Sequence, residues 1–192
     1  QCLITGRVAP MALLHPTIKG VKDAQSSGAS LVSFNAPAFC SYGHVQGENA
    51  PVSEYAAFAY TTALNALLAD REHCKIIGDS TVVCWAENAG TAYADLGTYA
   101  MFGVPENAGV QEEDLKKSLA LLAEGKPCEW IGETLLPEQH INYLGLAPNA
   151  ARVSVRFYLR DSLQHFAENI RAHHEALEIV NGWPGFSIWT LA

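Results

Sequence analysis

Residues 152–160 read Arg152-Val153-Ser154-Val155-Arg156-Phe157-Tyr158-Leu159-Arg160. The alternation is strict. Val153, Val155, Phe157 and Leu159 share one face of a strand, and Arg152, Ser154, Arg156, Tyr158 and Arg160 share the other. A helix would scatter both sets around its axis, so the stretch specifies a β element with its apolar face toward a core. Just upstream, His140 to Leu146 has strand composition and Ala147-Pro148-Asn149-Ala150 supplies a turn, which makes a β-hairpin near 140–160. Just downstream, Asp161 or Ser162 caps an amphipathic helix whose one face carries Leu163, Phe166, Ala167, Ile170, His174 and Leu177.

Working back from this unit, helical spacing recurs over Ser53 to Ala69, with Ser53 as N-cap and Glu54 in the first turn. Tyr55, Phe58, Ala59, Thr62, Ala63, Ala66 and Leu67 form one apolar face, and the opposite side is also mostly apolar. Weaker helical stretches lie near Thr91 to Phe102 and Glu112 to Glu124. Strands are expected at Cys2 to Thr5, Ala29 to Asn35, Ile76 to Ile77 and Thr81 to Ala86, and a turn at Gly182-Trp183-Pro184-Gly185. This order of elements predicts an α+β fold with a mixed or mainly antiparallel sheet and packed helices. The 192 residues suit a single domain over 1–192, with 88–138 as a candidate insertion. The chain lacks an initiator Met and opens inside an expected strand, which reads as a fragment of a longer protein.

The 49% hydrophobic content suffices for a buried core, and no stretch reaches the roughly 20 apolar residues of a membrane helix. No membrane partner is expected. The five cysteines form no framework spacing, so reduced thiols and a cytoplasmic location are the expectation. Phosphate-loop, dinucleotide-binding and nucleophile-elbow motifs are absent. Cys40 and His44 have a metal-ligand spacing without a second half, so no metal and no cofactor are implied, and the chain reads as not an enzyme.

The net charge is −8, yet it is unevenly spread: residues 1–47 hold Arg7, Lys19 and Lys22 against the single acid Asp23. Arginines four apart on a strand are roughly 13 Å from each other, a row that suits a polyanion. An edge strand that uses charge to discourage pairing gives the same pattern. Gln25 to Gly43 is Ser-rich and lies close in sequence to Lys19 and Lys22. Small hydroxyls and free N–H groups there can hold phosphate oxygens, and Phe39 and Tyr42 can stack on bases. The candidate nucleic-acid-binding residues are therefore Lys19, Lys22, Gln25, Ser26, Ser27 and Asn35 with Arg152, Arg156 and Arg160.

Several long runs carry a resemblance. They include Leu14-His15-Pro16-Thr17-Ile18-Lys19-Gly20-Val21, the run from Ala24 to Phe39, and Asn49-Ala50-Pro51-Val52-Ser53-Glu54. Ala57 to Asn65, Gly78 to Glu87 and Leu144 to Phe157 extend it. In this order the runs closely resemble the large subunit of the type I-C CRISPR effector complex (Cascade), over most of residues 2–180. The family chain is longer on both sides. The resemblance implies a non-catalytic, DNA-binding subunit of an RNA-guided antiviral surveillance complex, which recognises the motif beside the target and helps hold opened target DNA. Its implied partners are target DNA, the guide RNA-bearing subunits and a recruited helicase-nuclease. A scaffold that docks subunits or that nuclease without touching DNA is the alternative. A hydrolase would require a cluster of carboxylates or Cys/His ligands in a cleft.

Overall fold

The computed structural model describes residues 1–87 and 89–177; the expected turn at Gly182 to Gly185 lies outside them. The elements in chain order are α1 (Glu54–Ala69), β1 (Cys74–Ile77), β2 (Ser80–Ala86), α2 (Thr91–Phe102), α3 (Glu112–Ala123), β3 (Cys128–Trp130), β4 (Glu133–Leu135), β5 (His140–Asn149), β6 (Arg152–Ser162) and α4 (Leu163–Leu177). Two short 3-10 turns, Pro37–Phe39 and Gln46–Asn49, precede α1. A four-stranded, mostly antiparallel sheet runs β1-β2-β5-β6, and β3-β4 forms a separate antiparallel pair. The fold is α+β, as the hairpin and helix of 140–177 require.

The described residues group into two compact units. The first comprises Gln1–Asp70, Asp79–Thr81 and Leu146–Arg156. Its small core joins Cys2, Ala12, Val52, Ala56 and Ala57, with Tyr60 packed against them. Ser53 caps α1 by accepting a hydrogen bond from the Ala56 N–H at 3.2 Å. α1 buries Ala56, Ala57, Thr61, Leu64 and Leu68 and leaves Tyr55 and Phe58 exposed. Apolar residues all round predict burial on more than one face, but only this face of α1 is fully buried, because such a helix leaves the choice to its neighbours. The expected strand Cys2 to Thr5 is a turn closed by Gly6 N–H on the Cys2 carbonyl, 2.9 Å. Of the expected strand Ala29 to Asn35, only Ala29 and Ser30 pair: Ala29 with Ile18 and Ser30 with Arg152.

The second unit comprises Arg71–Gly78, Val82–Gly145 and Phe157 onward. Its core packs Leu96 and Tyr99 of α2, Leu115 and Leu122 of α3, Trp130 and Leu135 of the small hairpin, Ile141 and Tyr143 of β5, and Leu163 and Ala167 of α4. Tyr143 is fully buried and donates its hydroxyl to the Gly97 carbonyl at 2.8 Å. The small hairpin turns on Ile131 and Gly132, both at positive φ (48° and 78°). Ser162 caps α4 through the His165 N–H at 3.2 Å.

Strand β6 departs from its expected role. Val153 is 4% exposed, but Val155 and Leu159 of the same face are 51% and 45% exposed. Phe157 is half-buried against the core of the second unit, so the apolar face is covered only in part, as suits a strand last in the sheet order.

Candidate nucleic-acid interface

The loop ahead of α1 is stitched into a short ladder. Ile18 and Ala29 exchange backbone hydrogen bonds at 2.8 and 2.9 Å. Ser30 continues the ladder onto the start of β6: its N–H donates to the Ala151 carbonyl at 3.2 Å, and its carbonyl accepts from Val153 N–H at 3.0 Å. Between the two paired segments, Gln25-Ser26-Ser27-Gly28 forms a turn closed by Gly28 N–H on the Gln25 carbonyl. Gly28 has φ +100°, and a Cβ on it would lie 2.5 Å from Thr17 Oγ1, so only glycine fits this turn. The turn presents Gln25, Ser26 and Ser27 exposed to solvent.

Lys19, Lys22 and Arg152 lie on that ladder or on the loop joining its segments. The Lys19 N–H is fixed by Asn65 Oδ1 at 2.8 Å, and the Lys22 N–H by Thr81 Oγ1 at 2.9 Å. The Lys19 ammonium has no ion pair among the described residues. Arg152 donates through Nη2 to Asn35 Oδ1. Its guanidinium carbon lies 4.3 Å from the centroid of the Phe39 ring. Two candidates far apart in sequence, Asn35 and Arg152, are therefore in direct contact, and Phe39 provides the platform beneath the cation. No carboxylate neutralises Arg152 among the described residues.

The other two arginines differ. Arg156 Nη2 donates to Asp79 Oδ2 at 2.8 Å. The Ser80 hydroxyl and then Arg156 hold the Asp79 carboxyl below its ordinary pKa, so it is ionised at neutral pH. In the second unit, Arg160 clamps Glu87 with two bonds, Nε to Oε1 at 2.6 Å and Nη2 to Oε2 at 2.9 Å. Arg160 is the chief cause of a lowered Glu87 pKa. Asn142 Nδ2 donates to Glu87 Oε1 at 3.3 Å, Tyr158 donates its hydroxyl to Asn142 Oδ1 at 2.7 Å, and the Tyr158 ring stacks on Trp85, centroids 6.3 Å apart. The expected row of three cations is thus one unneutralised arginine and two paired with acids that flank β2. Phe39, expected to stack on bases, lies against Arg152; Asp79 escaped notice, although its place in the Gly78-Asp79-Ser80 turn is the signal that a hairpin could aim an acid at the strand.

Among the described residues, no group of three or more His, Cys, Asp or Glu side chains could hold a metal ion, and no helix is long and apolar enough to cross a membrane.

A model of the CRISPR-associated protein family Cas_Csd1 matches residues 1–192. The chain belongs to the Cas_Csd1 family. Comparison with curated proteins returned no match. Membership in Cas_Csd1 makes the chain a CRISPR-associated protein, in agreement with the resemblance carried by Leu14 to Phe39 and Leu144 to Phe157, and it implies other CRISPR-associated subunits as partners.

Next to this ladder His15 is buried, with Nδ1 2.7 Å from the Tyr60 hydroxyl. Burial lowers its pKa below the ordinary 6.5, so the folded state resists protonation that the unfolded chain accepts. The sign follows: stability is full above about pH 6.5 and falls as pH drops toward the lowered folded value. Urea midpoints are expected to fall from about pH 7 to about pH 5, and less steeply in His15→Gln. Equal slopes in both proteins would remove His15 as the cause.

Proposed function

We propose that this Cas_Csd1 chain is a non-catalytic, cytoplasmic, nucleic-acid-contacting part of the large subunit of a type I-C RNA-guided complex. On this reading it grips the sugar–phosphate backbone of target DNA beside the paired guide. The supporting observation is Arg152: an unneutralised guanidinium over Phe39, held by Asn35 at the end of a ladder that also carries Lys19, Lys22 and the exposed Gln25-Ser26-Ser27 turn. Phosphate contacts need fixed donors and cations rather than a catalytic cluster, and in RNA-guided recognition base pairing supplies most of the sequence reading. Target DNA, guide RNA-bearing subunits and a recruited helicase-nuclease are the proposed partners.

The test is the binding of single-stranded and duplex DNA to the 192-residue chain at several salt concentrations. A log–log slope of about −2 on single strands is expected from about three phosphate contacts. Affinity that is independent of salt, or no binding at low salt, would overturn the reading.

One observation favours the scaffold reading as a second. Val155 and Leu159 expose apolar surface on the outermost strand β6, beside the acid-paired Arg156 and Arg160. Exposed apolar side chains on an outer strand suit a protein neighbour better than DNA. Val155→Gln/Leu159→Gln would then abolish co-purification with partner subunits while leaving the salt slope on free DNA unchanged.

A further inference from the structure

Between the two 3-10 turns the chain reverses at Ser41-Tyr42-Gly43-His44, closed by His44 N–H on the Ser41 carbonyl at 3.0 Å. The two central residues, Tyr42 and Gly43, both have positive φ, 54° and 76°. That is the pattern of a type I′ turn, whose first central position normally holds asparagine, aspartate or glycine. A tyrosine is disfavoured there, because its Cβ crowds the carbonyl oxygen that follows. The ring gains nothing from the fold in return. Tyr42 is 98% exposed, and its side chain has no hydrogen bond or ring contact among the described residues. The turn is nevertheless braced. Ser41 N–H donates to Asn49 Oδ1 at 2.9 Å, Val45 N–H donates to Glu48 Oε2 at 2.9 Å, and Gly47 N–H donates to the Leu13 carbonyl at 3.0 Å. A single exposed ring needs no explanation, but one held at the tip of a fixed turn by a disfavoured backbone does.

We propose that Tyr42 stacks on one unpaired nucleobase of the bound strand. The inference rests on the DNA-contacting reading and names the ring that takes a base there. Phe39, expected to share that task, is already committed, with the Arg152 guanidinium carbon 4.3 Å from its centroid. Tyr42 follows Phe39 by three residues, so their Cα atoms lie within about 11 Å of each other. That is the rise of about three stacked nucleotides. A strand whose phosphate sits on Arg152 thus has a base within reach of Tyr42. Stacking needs a free ring face on each side, and only a base out of the duplex stack offers one. It needs no hydrogen-bond readout, so the site accepts any base. Because the turn is braced, the ring is held ready and little ordering cost falls on binding. A protein anchor of this kind would sit in an apolar, desolvated patch. The residues beside Tyr42 are instead Ser41, Gly43 and His44, small or polar, and no acid lies in the turn.

The experiment uses the 192-residue chain with two labelled probes of equal length, an oligothymidylate and an abasic oligodeoxynucleotide, followed by fluorescence anisotropy. Their phosphates are the same, so their salt slopes should match. The oligothymidylate is expected to bind roughly tenfold tighter, the scale of one base stacked on an aromatic side chain. Tyr42→Asn separates the ring from the turn, because asparagine is favoured at the position where tyrosine is not. Its urea midpoint should rise, while the two affinities converge and the slope stays. Tyr42→Phe keeps the ring and should keep the preference. Equal binding of both probes by the unmodified chain would overturn the inference while leaving the backbone-gripping role intact. A preference that survives Tyr42→Asn would overturn it too, and lost co-purification with partner subunits in that variant would then make Tyr42 a protein anchor. A lower urea midpoint in Tyr42→Asn would show that the ring serves the fold, and would equally overturn it. Binding of neither probe would remove both readings together.

Discussion

Replacing Lys19 and Arg152 together by alanine is expected to weaken single-stranded DNA binding by roughly one order of magnitude at about 0.1 M salt, and to flatten the salt slope by about 1.4. The reasoning is counterion release. Each cation that neutralises a phosphate frees condensed ions, and these two cations carry most of the proposed contact. Neither Arg152 nor Lys19 has a carboxylate partner among the described residues, and Lys19 adjoins Ile18 of the ladder that positions Arg152. The matched control removes the two neutralised arginines with their acids, as Arg156→Gln/Asp79→Asn and Arg160→Gln/Glu87→Gln. Net charge is then unchanged, and the slope should move by less than about 0.5, because those cations already have internal anions. Removing the arginines alone would confuse the result, since it would leave Asp79 and Glu87 unpaired near the DNA path. Anisotropy across a salt series measures both arms. A larger change in the control than in the double variant would move the contact from the loop ladder to the strand face.

The contrast between the arginines marks where the sequence stops being informative. Strict alternation in 152–160 reveals a strand, a hairpin and a charged face, because side-chain period 2 is local. What each arginine meets is not local. Arg156 finds Asp79 across 77 positions and Arg160 finds Glu87 across 73, and both depend on the sheet order β1-β2-β5-β6. The helices show the same division. The spans of α1, α2 and α4 follow from periodicity and the caps Ser53 and Ser162, yet the buried face of α1 required knowledge of its neighbours. The β3-β4 hairpin escaped notice because its strands have three residues each and its turn places the β-branched Ile131 at φ 48°, where glycine or asparagine is the usual signal. His15 could be seen in Leu14-His15-Pro16, but its unpartnered nitrogen is a property of burial alone.

The core of the second unit makes the sharpest stability prediction, at Gly97. Glycine in a helix interior is intrinsically worse than alanine by about 1 kcal/mol, so Gly97→Ala in α2 would stabilise an isolated helix. In the folded chain the opposite is expected. A Cβ at Gly97 would lie 2.0 Å from Ile141 Cδ1, 3.0 Å from Tyr143 Oη and 3.3 Å from Cys84 Sγ. The glycine lets α2 approach β5 closely enough for the Tyr143 hydroxyl to reach the Gly97 carbonyl. Overpacking of this kind costs about 1–3 kcal/mol, and Gly97→Val should exceed that range against a total stability of only about 5–15 kcal/mol. The clash with Ile141 can be isolated, because Ile141→Val deletes Cδ1 and little else. Alone it should cost about 0.5–1.5 kcal/mol by leaving a small void. Combined with Gly97→Ala, the new methyl fills that void, and the double variant should be more stable than the sum of the singles by about 1 kcal/mol or more. Urea unfolding with a constant m-value reads the cycle. Strict additivity would mean that α2 shifts away from β5 to accommodate the methyl. In that case Gly97→Ala would also lengthen the Tyr143 hydrogen bond, and Tyr143→Phe would cost less in the Gly97→Ala background than in the unmodified chain.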